Sequence, residues 1–432
     1  MGTFIDLRLG GQEICSSKNS MGVDYGALFQ ESDRRRLDEL VPEEMKDEPK
    51  HGLGEWAFVR TLSHVLPRLE LLGYTISAAR MEYGDLVREW LDDLPDVVPD
   101  AGPDALNPLS FDELLAFVKA HPLDSLSAKN VWDVDVEAQR RCQGRFLDDP
   151  LARRIPRQDY GDSYAGCERA YFVGLLSVLS PFYLLRLLAE CPQNQCLDLV
   201  WAYGDLVDNG WEVEESFVPG ARRRETILIA TEGSSDIHVL KHAFHLLRPD
   251  IEDFFRFFDV TEGGHPFSGA GNLVKFAQGL LKIDVQNRLV FLFDNDAEGN
   301  GAVQTLNKAL PANMRVSMLP QLEEFKSFPC RGPEGASLAN INLRAAAIEC
   351  YLDLERPGLP APVVTWVAYK ANQDVYQGAL ANKETYVSDF CAQSKESLQL
   401  AHYDTRKLQA VLDSLFQVCT DLAAEAQWSA PC

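Results

Sequence analysis

The 432-residue sequence has no CxxC pair, although it contains ten cysteines, and the two closest are Cys191 and Cys196. Zinc modules and secreted disulfide frameworks usually show paired or regularly spaced cysteines. The spacing therefore favours reduced, structural thiols in a cytoplasmic protein over a zinc site or a disulfide set.

Leader segments and long apolar runs are also lacking. The opening MGTFIDLRLGG has no basic stretch before an apolar run, as a secretory signal would, and Asp6 stands where myristoylation needs Ser or Thr. The most apolar stretch, 170–190, is interrupted by Pro181 and Arg186, which favours a buried helix pair over a membrane span. We predict a cytoplasmic location without membrane association.

A basic excess is absent as well, because 41 basic residues face 65 acidic ones and the formal net charge is -24. Such a chain repels nucleic acid at long range, so any phosphate-binding surface must be local or depend on metal ions. For Arg222, Arg223 and Arg224 the alternative is a solvated linker. The candidate nucleic-acid contacts are Arg222, Arg223, Arg224, Lys241, His242, Lys275 and Arg331.

The length predicts two or three domains, each with its own core. Residues 1–215 form a mostly helical region that starts with a short β element. Its expected parts are a strand or hairpin at 3–15, a helix pair over 56–94 broken near Pro67 and Gly73, a helix at 110–120 with a capping box of Ser110 and Glu113, an irregular connection at 121–165, and helices at 166–190 and 195–210.

After a linker at 216–224 the pattern changes to apolar strands alternating with amphipathic helices. This alternation predicts an α/β domain at 225–355 with a mainly parallel, Rossmann-like sheet flanked by helices. A C-terminal extension at 356–432 should add a strand at 363–369 and helices at 383–393 and 399–425, and should pack on the α/β domain.

Acidic residues stand where two of these strands end. Glu232 directly follows TILIAT, and Asp294 and Asp296 follow RLVFLF. Ligand sites of parallel sheets lie at the carboxyl ends of strands, and Asp294 and Asp296 point to the same side while Asn295 turns away. Gathered carboxylates either raise their pKa or bind a hard cation such as Mg²⁺ or Mn²⁺. Turn formation and helix capping are the alternative for either motif alone.

EGSSD followed by DNDAEG resembles the TOPRIM domain of topoisomerases, DnaG-type primases, OLD-family nucleases and small RNA-maturing nucleases. The resemblance implies that Glu232 is a general acid/base or metal ligand and that Asp294 and Asp296 hold Mg²⁺. Asp236 matches the extra acidic position of OLD-like members, which use two metals.

Two further residues belong to the predicted site. Glu349, on an expected helix at 343–353, would be the later glutamate of OLD-like nucleases, with a surface glutamate as the alternative. Lys326 could neutralise the phosphate in the transition state, with a solvated loop lysine as the alternative. The glycine turn within 265–276 lacks GK[ST], so we read it as a simple turn and not as a nucleotide-hydrolysis loop.

The N-terminal half resembles the domain found on HEPN/TOPRIM-associated proteins of bacterial conflict systems. The resemblance is carried by MGTFIDLRLGGQEICSSKNS, LSHVLPRLELLGYTISAARMEYGDL and LSFDELLAFVKAHPLDSL. The RxxxxH motif of HEPN ribonucleases is not found, since Arg60 and His64 are one residue too close. The chain is therefore expected to carry the TOPRIM effector without a HEPN active site.

These features predict a metal-dependent endonuclease that uses one or two Mg²⁺ or Mn²⁺ ions and acts in antiphage defence or as a toxin. The expected partners are DNA or RNA, including tRNA, and a regulatory protein bound through the N-terminal region; a homo-oligomer stays open. A non-catalytic sensor of nucleic acid or phage protein is one alternative. A topoisomerase-like enzyme is another, although no nucleophilic tyrosine in a separate domain is evident.

Overall fold

The structure is a computed structural model that describes residues 2–37, 56–97, 104, 106–131, 136–156, 166–258, 269–283, 285–306, 310–371, 373–400 and 403–429. Contacts divide the chain into two compact units, Met1–Ala221 and Arg222–Cys432.

The first unit contains a five-stranded antiparallel sheet with the order β2-β1-β5-β4-β3. Its strands are β1 (Phe4–Leu9), β2 (Gln12–Lys18), β3 (Arg34–Arg36), β4 (Trp56–Thr61) and β5 (Asp198–Ala202). The central strand β5 pairs with β1 on one side and β4 on the other. Trp201 of β5 is buried and its ring stacks on Phe29 and Phe58, so an aromatic cluster fixes this sheet.

Two of these strands were expected to be helical, and that expectation is wrong. WAFVRT (β4) was assigned to the helix pair over 56–94, and DLVWA (β5) to the helix over 195–210. Both segments are rich in apolar and aromatic residues. Pairing with strands distant in sequence decides such short segments, and their own periodicity does not.

The helices of the first unit surround this sheet, and two expected features differ. Pro67 lies inside the first helix and does not break it, whereas Gly73 ends it in a left-handed conformation with φ 99°. A short helix also lies in the expected irregular connection. The helices are α1 (Leu62–Leu72), α2 (Ile76–Val97), α3 (Phe111–Ala120), α4 (Val136–Gln143), α5 (Glu168–Leu176), α6 (Pro181–Leu188) and α7 (Gly204–Asp208).

The expected capping box is confirmed at the start of α3, where Ser110 and Glu113 exchange hydrogen bonds. The pair α5 and α6 is largely buried. Among the residues that the structure describes, no single helix is long and apolar enough to cross a membrane, and α5 and α6 meet that composition only together, with a bend of 117°.

The described residues of the second unit form ten strands and six α-helices. The strands are β6 (Ile227–Thr231), β7 (Phe255–Phe257), β8 (Arg288–Phe293), β9 (Asn295–Asp296), β10 (Met314–Met318), β11 (Phe328–Gly332), β12 (Gly335–Ala339), β13 (Ala345–Ala346), β14 (Val364–Lys370) and β15 (Val375–Leu380). The helices are α8 (Ser234–Leu247), α9 (Ala270–Leu280), α10 (Ala297–Leu306), α11 (Lys383–Cys391), α12 (Lys395–Leu400) and α13 (Arg406–Ser429).

The predicted α/β architecture is confirmed in this unit. Strands β10, β8, β6 and β7 form a fully parallel sheet in that order. Leu289, Phe291 and Phe293 of β8 are buried in a core that also includes residues of α9 and α10. The chain passes from β6 to β7 on one side and returns to β8 on the other, so the strand order switches between β6 and β8.

A second sheet, of order β12-β11-β14-β15, and the helix α13 complete the unit. Helix α13 contacts α8, β8 and β10, and Arg315 of β10 pairs with Glu425 of α13. The expected helix over 343–353 is wrong, because this segment forms β13 and a 3-10 turn at Ile348–Tyr351.

Candidate active site

The carboxyl ends of β6 and β8 bring Glu232 and Asp294 together at the switch in strand order. The backbone N–H of Asp294 donates to Oε1 of Glu232 at 3.0 Å. Switch points of parallel sheets form a crevice in which ligands bind. The two residues that follow these apolar strands therefore share one such crevice.

Two glycines let the backbone approach this crevice closely. A Cβ on Gly299 would lie 2.1 Å from the carbonyl oxygen of Asp294, so the DNDAEG turn admits only glycine there. Gly269 has φ 83° and its N–H donates to the carbonyl oxygen of Glu232 at 3.2 Å. The expected simple turn before α9 is thus anchored on Glu232, while residues 265–268 lie outside the described residues.

Asp296 is buried and held by donors from two elements. Its Oδ1 accepts from the N–H of Gly299 at 2.7 Å, and its Oδ2 accepts from the side chain of Gln377 in β15. Gln377 also accepts from the N–H of Ala297 at 2.9 Å. Asn295 points away as expected, and its side chain bonds Asn342 and the N–H of Leu343. Asp296 is therefore oriented from both α10 and β15.

Asp236 and Glu349 lie on the opposite side of the group. Asp236 is buried in the first turn of α8, where Oδ2 accepts from the N–H of Gly233 at 2.9 Å. Glu349 is 2% exposed, and its Oε1 lies 3.3 Å from Nζ of Lys383. A lysine in the first turn of α11 opposes the helix dipole, so the contact with Glu349 compensates for that position.

The pKa values of four of these carboxyl groups are raised, with loss of water on burial as the largest cause in each. For Asp294 the charges of Asp236 and Glu232 come next. For Glu232 the hydrogen bond from Asp294 opposes the rise in pKa, while the charge of Asp296 adds to it. The charge of Glu349 raises the pKa of Asp236 further, while the hydrogen bond from Gly233 and the positive charge of Lys383 oppose the rise.

Asp296 behaves similarly, although the donors Gly299 and Gln377 hold its raised pKa back. The charge of Glu349 raises the pKa of Lys383, and Asp294 contributes to the same shift. Taken together, these interactions place Glu232, Asp236, Asp294, Asp296 and Glu349 within electrostatic reach of one another. Mutual repulsion of this kind is relieved by protonation or by a cation.

The donor set fits a hard divalent cation. All five side chains offer carboxylate oxygens, which suit Mg²⁺ or Mn²⁺. In the described parts of the chain, no three His, Cys, Asp or Glu side chains already converge as a complete ligand set. Mg²⁺ needs only one or two carboxylates, since water and substrate phosphate supply the other ligands. The oxygens of Asp294 and its neighbours could meet that requirement.

A cleft of about 840 Å³ lies next to this group, between α8 and α11. Glu349 and Lys383 line its end near the carboxylates, and His238 and Lys241 line it along α8. His242 lies in its wall, where Nε2 bonds the carbonyl of Gln393 at 2.9 Å. Of the predicted nucleic-acid contacts, Lys241 and His242 therefore face this cleft.

The other predicted residues lie elsewhere in the second unit. Lys326 is exposed on a 3-10 turn at Glu323–Ser327, and its ammonium pairs with Glu323 at 2.7 Å. Arg222 to Arg224 precede β6, and Arg224 contacts Glu225 at 3.8 Å. Lys275 is exposed on α9 and Arg331 on β11.

Two residues of the site were not predicted from the sequence. Lys383 and Gln377 come from the C-terminal segment, more than 80 positions after Asp294 and Asp296. The unusual position of a lysine at the start of α11 was the available signal for Lys383. Gln377 lies in an ordinary strand pattern and gave no signal.

Arg60 and His64, whose spacing is one residue short of the RxxxxH motif, make structural contacts in the first unit. Arg60 is buried and pairs with Asp33 at 3.2 Å, while Nδ1 of His64 bonds the hydroxyl of Thr61. These side chains therefore stabilise the turn regions around β4.

Comparison with known families matches residues 1–225 to the HEPN/Toprim N-terminal domain 1. No curated protein and no solved structure matches the chain. The family match confirms the resemblance predicted for the N-terminal half, and the OLD-like resemblance of 225–355 stays a prediction. Since the match covers just over half of the 432 residues, the chain belongs to the HEPN/Toprim N-terminal domain 1 family.

Proposed function

We propose that the second unit is a metal-dependent endonuclease that hydrolyses phosphodiester bonds in nucleic acid. The observation that carries the proposal is the junction of Glu232 and Asp294 at the switch between β6 and β8, with Asp236, Asp296 and Glu349 in electrostatic reach. Structural proteins rarely gather buried carboxylates without counter-charges, and strongly perturbed acids mark functional sites.

One or two Mg²⁺ or Mn²⁺ ions would be held by this group. Asp294 and Asp296 are suited to one ion, and Asp236 with Glu349 to a second. A bound ion supplies Lewis-acid activation of the phosphate and of the attacking water. The hydrogen bonds from Gly299 and Gln377 keep Asp296 in one orientation, as surrounding donors do for metal ligands generally.

Glu232 is suited to proton transfer. Its raised pKa lets it exist in both protonation states near neutral pH, which is what a general acid or base requires. Its carboxyl group touches the N–H of Asp294, so a transferred proton would arise beside the reacting phosphate.

Lys383 takes the charge-neutralising role that the sequence assigned to Lys326. Its ammonium lies at the border of the carboxylates and the cleft, with its side chain 48% exposed. A cation in this position can stabilise the extra negative charge of the transition state. Lys326 is instead exposed to solvent, where its ammonium pairs with Glu323.

The first unit is proposed to regulate the enzyme or to select a protein partner. Its family name joins the HEPN and Toprim types, which supports a role in systems that act on nucleic acid. A defence or toxin function follows from that family resemblance and makes a phage component or host tRNA a reasonable trigger or target.

The proposal is tested with purified protein, labelled DNA and RNA, and Mg²⁺ or Mn²⁺. We expect cutting that EDTA stops and that Glu232→Gln lowers about a thousandfold, which is roughly 4 kcal/mol of barrier. Glu323→Gln is the matched control, because this exposed acid pairs with Lys326 and is outside the five. Undiminished cutting by the double variant Asp294→Ala, Asp296→Ala would overturn the proposal.

A further inference from the structure

The α8–α11 cleft has two walls of different chemistry. His238, Lys241, His242 and His245 follow one another at helical spacing, so they share one face of α8. The opposite wall comes from α11 and includes the half-buried Val387 and the exposed Cys391. One wall thus offers a lysine and imidazole rings, and the other offers Val387 and Cys391 beside the polar Lys383, Glu384 and Ser388.

This concentration of nitrogen side chains is unusual for so acidic a chain. Three of its eight histidines lie on α8 with Lys241, whereas the formal net charge is -24. The acids of the cleft are partly neutralised, because Glu349 contacts Lys383 and Glu252 accepts from His245 at 3.2 Å. Glu384 at the start of α11 remains at the rim.

The floor of the cleft limits what can enter. His242 packs edge-on against Phe390 of α11, with ring centroids 5.1 Å apart, and bonds Gln393 just beyond that helix. Helices in such contact have axes about 8–10 Å apart. No chain can pass between them, so a nucleic-acid strand in the cleft would lie along the top of this contact, where its bases can reach the side chains of both walls.

The cleft also joins the carboxylates directly. Glu349 is one of the five carboxylates and also lines the cleft, and Lys383, which lines the cleft, contacts Glu349. Ser235 of the cleft directly precedes the buried Asp236. A strand whose phosphate lies at Asp294 and Asp236 would therefore place its neighbouring nucleotides beside His238 and Lys241. The other end of the group, at Asp296, is closed by Gln377 and α10.

We infer that the α8–α11 cleft binds an unpaired nucleic-acid strand on one side of the scissile phosphate, so that the substrate is single-stranded or carries a single-stranded end. The inference rests on the proposed nuclease function and specifies its substrate. Lys241 and Lys383 meet backbone phosphates, His238 and His245 offer faces for bases, and the wall of Val387 and Cys391 covers the apolar sides of those bases.

Cys391 allows a direct test by alkylation, with Cys196 as an internal control. Both thiols are exposed, but Cys196 lies in the first unit. The full-length Glu232→Gln variant is treated with N-ethylmaleimide in Mg²⁺, with or without a 12-nucleotide single strand, and labelling at each cysteine is followed by mass spectrometry. At ten times the dissociation constant we expect alkylation of Cys391 to slow about tenfold, with Cys196 unchanged.

The same strand annealed to its complement should protect Cys391 far less. Lys241→Glu should weaken the protection and lower its salt dependence by about one phosphate contact. Lys282→Glu, an exposed lysine just beyond α9 that does not line the cleft, is the matched control and should leave protection unchanged.

Equal alkylation of Cys391 with and without the strand, or equal protection by the duplex, would overturn the inference. Cutting by the wild-type protein is measured in parallel. Cutting without protection leaves the nuclease proposal standing and removes the cleft, whereas protection without cutting supports the cleft and removes the nuclease proposal.

Discussion

Two groups of buried charges, one in each unit, are accommodated in opposite ways. In the first unit, Arg186 pairs with Glu70 at 2.7 Å and Glu190 at 2.8 Å. Burial would raise the pKa of Glu168, but the N–H groups of Arg145 and Ser127 and the Arg145 guanidinium hold it below its ordinary value. In the second unit, by contrast, carboxylates face one another and their pKa values rise.

This difference separates charges that stabilise a fold from charges that cost folding free energy. Buried charged groups that are paired and hydrogen-bonded are accounted for by their role in stabilising the fold. Four acids with raised pKa values lower the stability of the folded state near neutral pH, so another requirement must account for their presence. The proposed catalysis with a divalent cation would meet that requirement.

The largest expected effect concerns a buried, hydrogen-bonded arginine of the first unit. Arg68 is fully buried and donates to the carbonyls of Ala27 at 2.8 Å and Phe29 at 3.1 Å. Arg68→Met removes a buried donor from both carbonyls, although that of Phe29 still accepts from the N–H of Gly220, and should cost about 3 kcal/mol. Hydrogen exchange should show faster opening of β5 with β8 unchanged, and an unchanged β5 would break the comparison.

A somewhat smaller effect is expected from removing the cation beside the carboxylates. Lys383→Met should lower nuclease activity about a hundredfold, because a preorganised charge at the phosphate is lost. Lys326→Met is the control and should change activity less than about twofold, as is usual for an exposed surface pair. The reverse order of the two variants would return the role to Lys326.

Gln377→Leu should lower activity about tenfold by releasing Asp296 from one of its donors. Steady-state kinetics should assign the loss to kcat, and a higher Mg²⁺ concentration should restore part of it. Gln373→Leu provides the control, since Gln373 bonds the carbonyl of Ala297 and not Asp296. Equal losses would indicate a general loosening of β15.

The raised pKa values of these acids predict how the free energy of unfolding depends on pH when EDTA is present. A carboxyl group with a raised pKa binds a proton more tightly when folded, so its stabilising contribution is present at low pH and is lost as pH rises. For Glu232 the window runs from its ordinary value of 4.5 to about 8. The opening free energy of β8, taken from exchange rates corrected for the intrinsic pH dependence of amide exchange, should fall across this window by at least about 1 kcal/mol, and Asp294→Asn should flatten the change. An opening free energy that rises with pH would contradict it.

The sequence predicted those residues of the site whose positions follow from the order of neighbouring strands and turns along the chain. Glu232, Asp294 and Asp296 could be predicted because each follows an apolar strand, and the ends of neighbouring parallel strands meet. Glu349 was predicted on a helix that does not exist, although the fold still brings it near Asp236. Its position depends on the pairing of β13 with β9, which no local pattern encodes.

The same physical reason explains why local sequence patterns did not predict the strands β4 and β5 or the place of Lys383 and Gln377 in the site. Each takes its place through contacts with segments distant in sequence, so neither periodicity nor motif spacing marks them. Arg222 to Arg224, Lys275 and Arg331 remain predictions of nucleic-acid contacts. The cleft instead selects Lys241 as the cation to test first.

Calorimetric titration of Mg²⁺ into the wild-type protein at pH 8, beside Asp294→Asn and Glu323→Gln, tests the central claim most directly. Saturable binding that is lost in Asp294→Asn and kept in Glu323→Gln is the predicted result, because the cation relieves the repulsion among the buried carboxylates. Binding heats that are the same in the wild type and in Asp294→Asn would contradict the account.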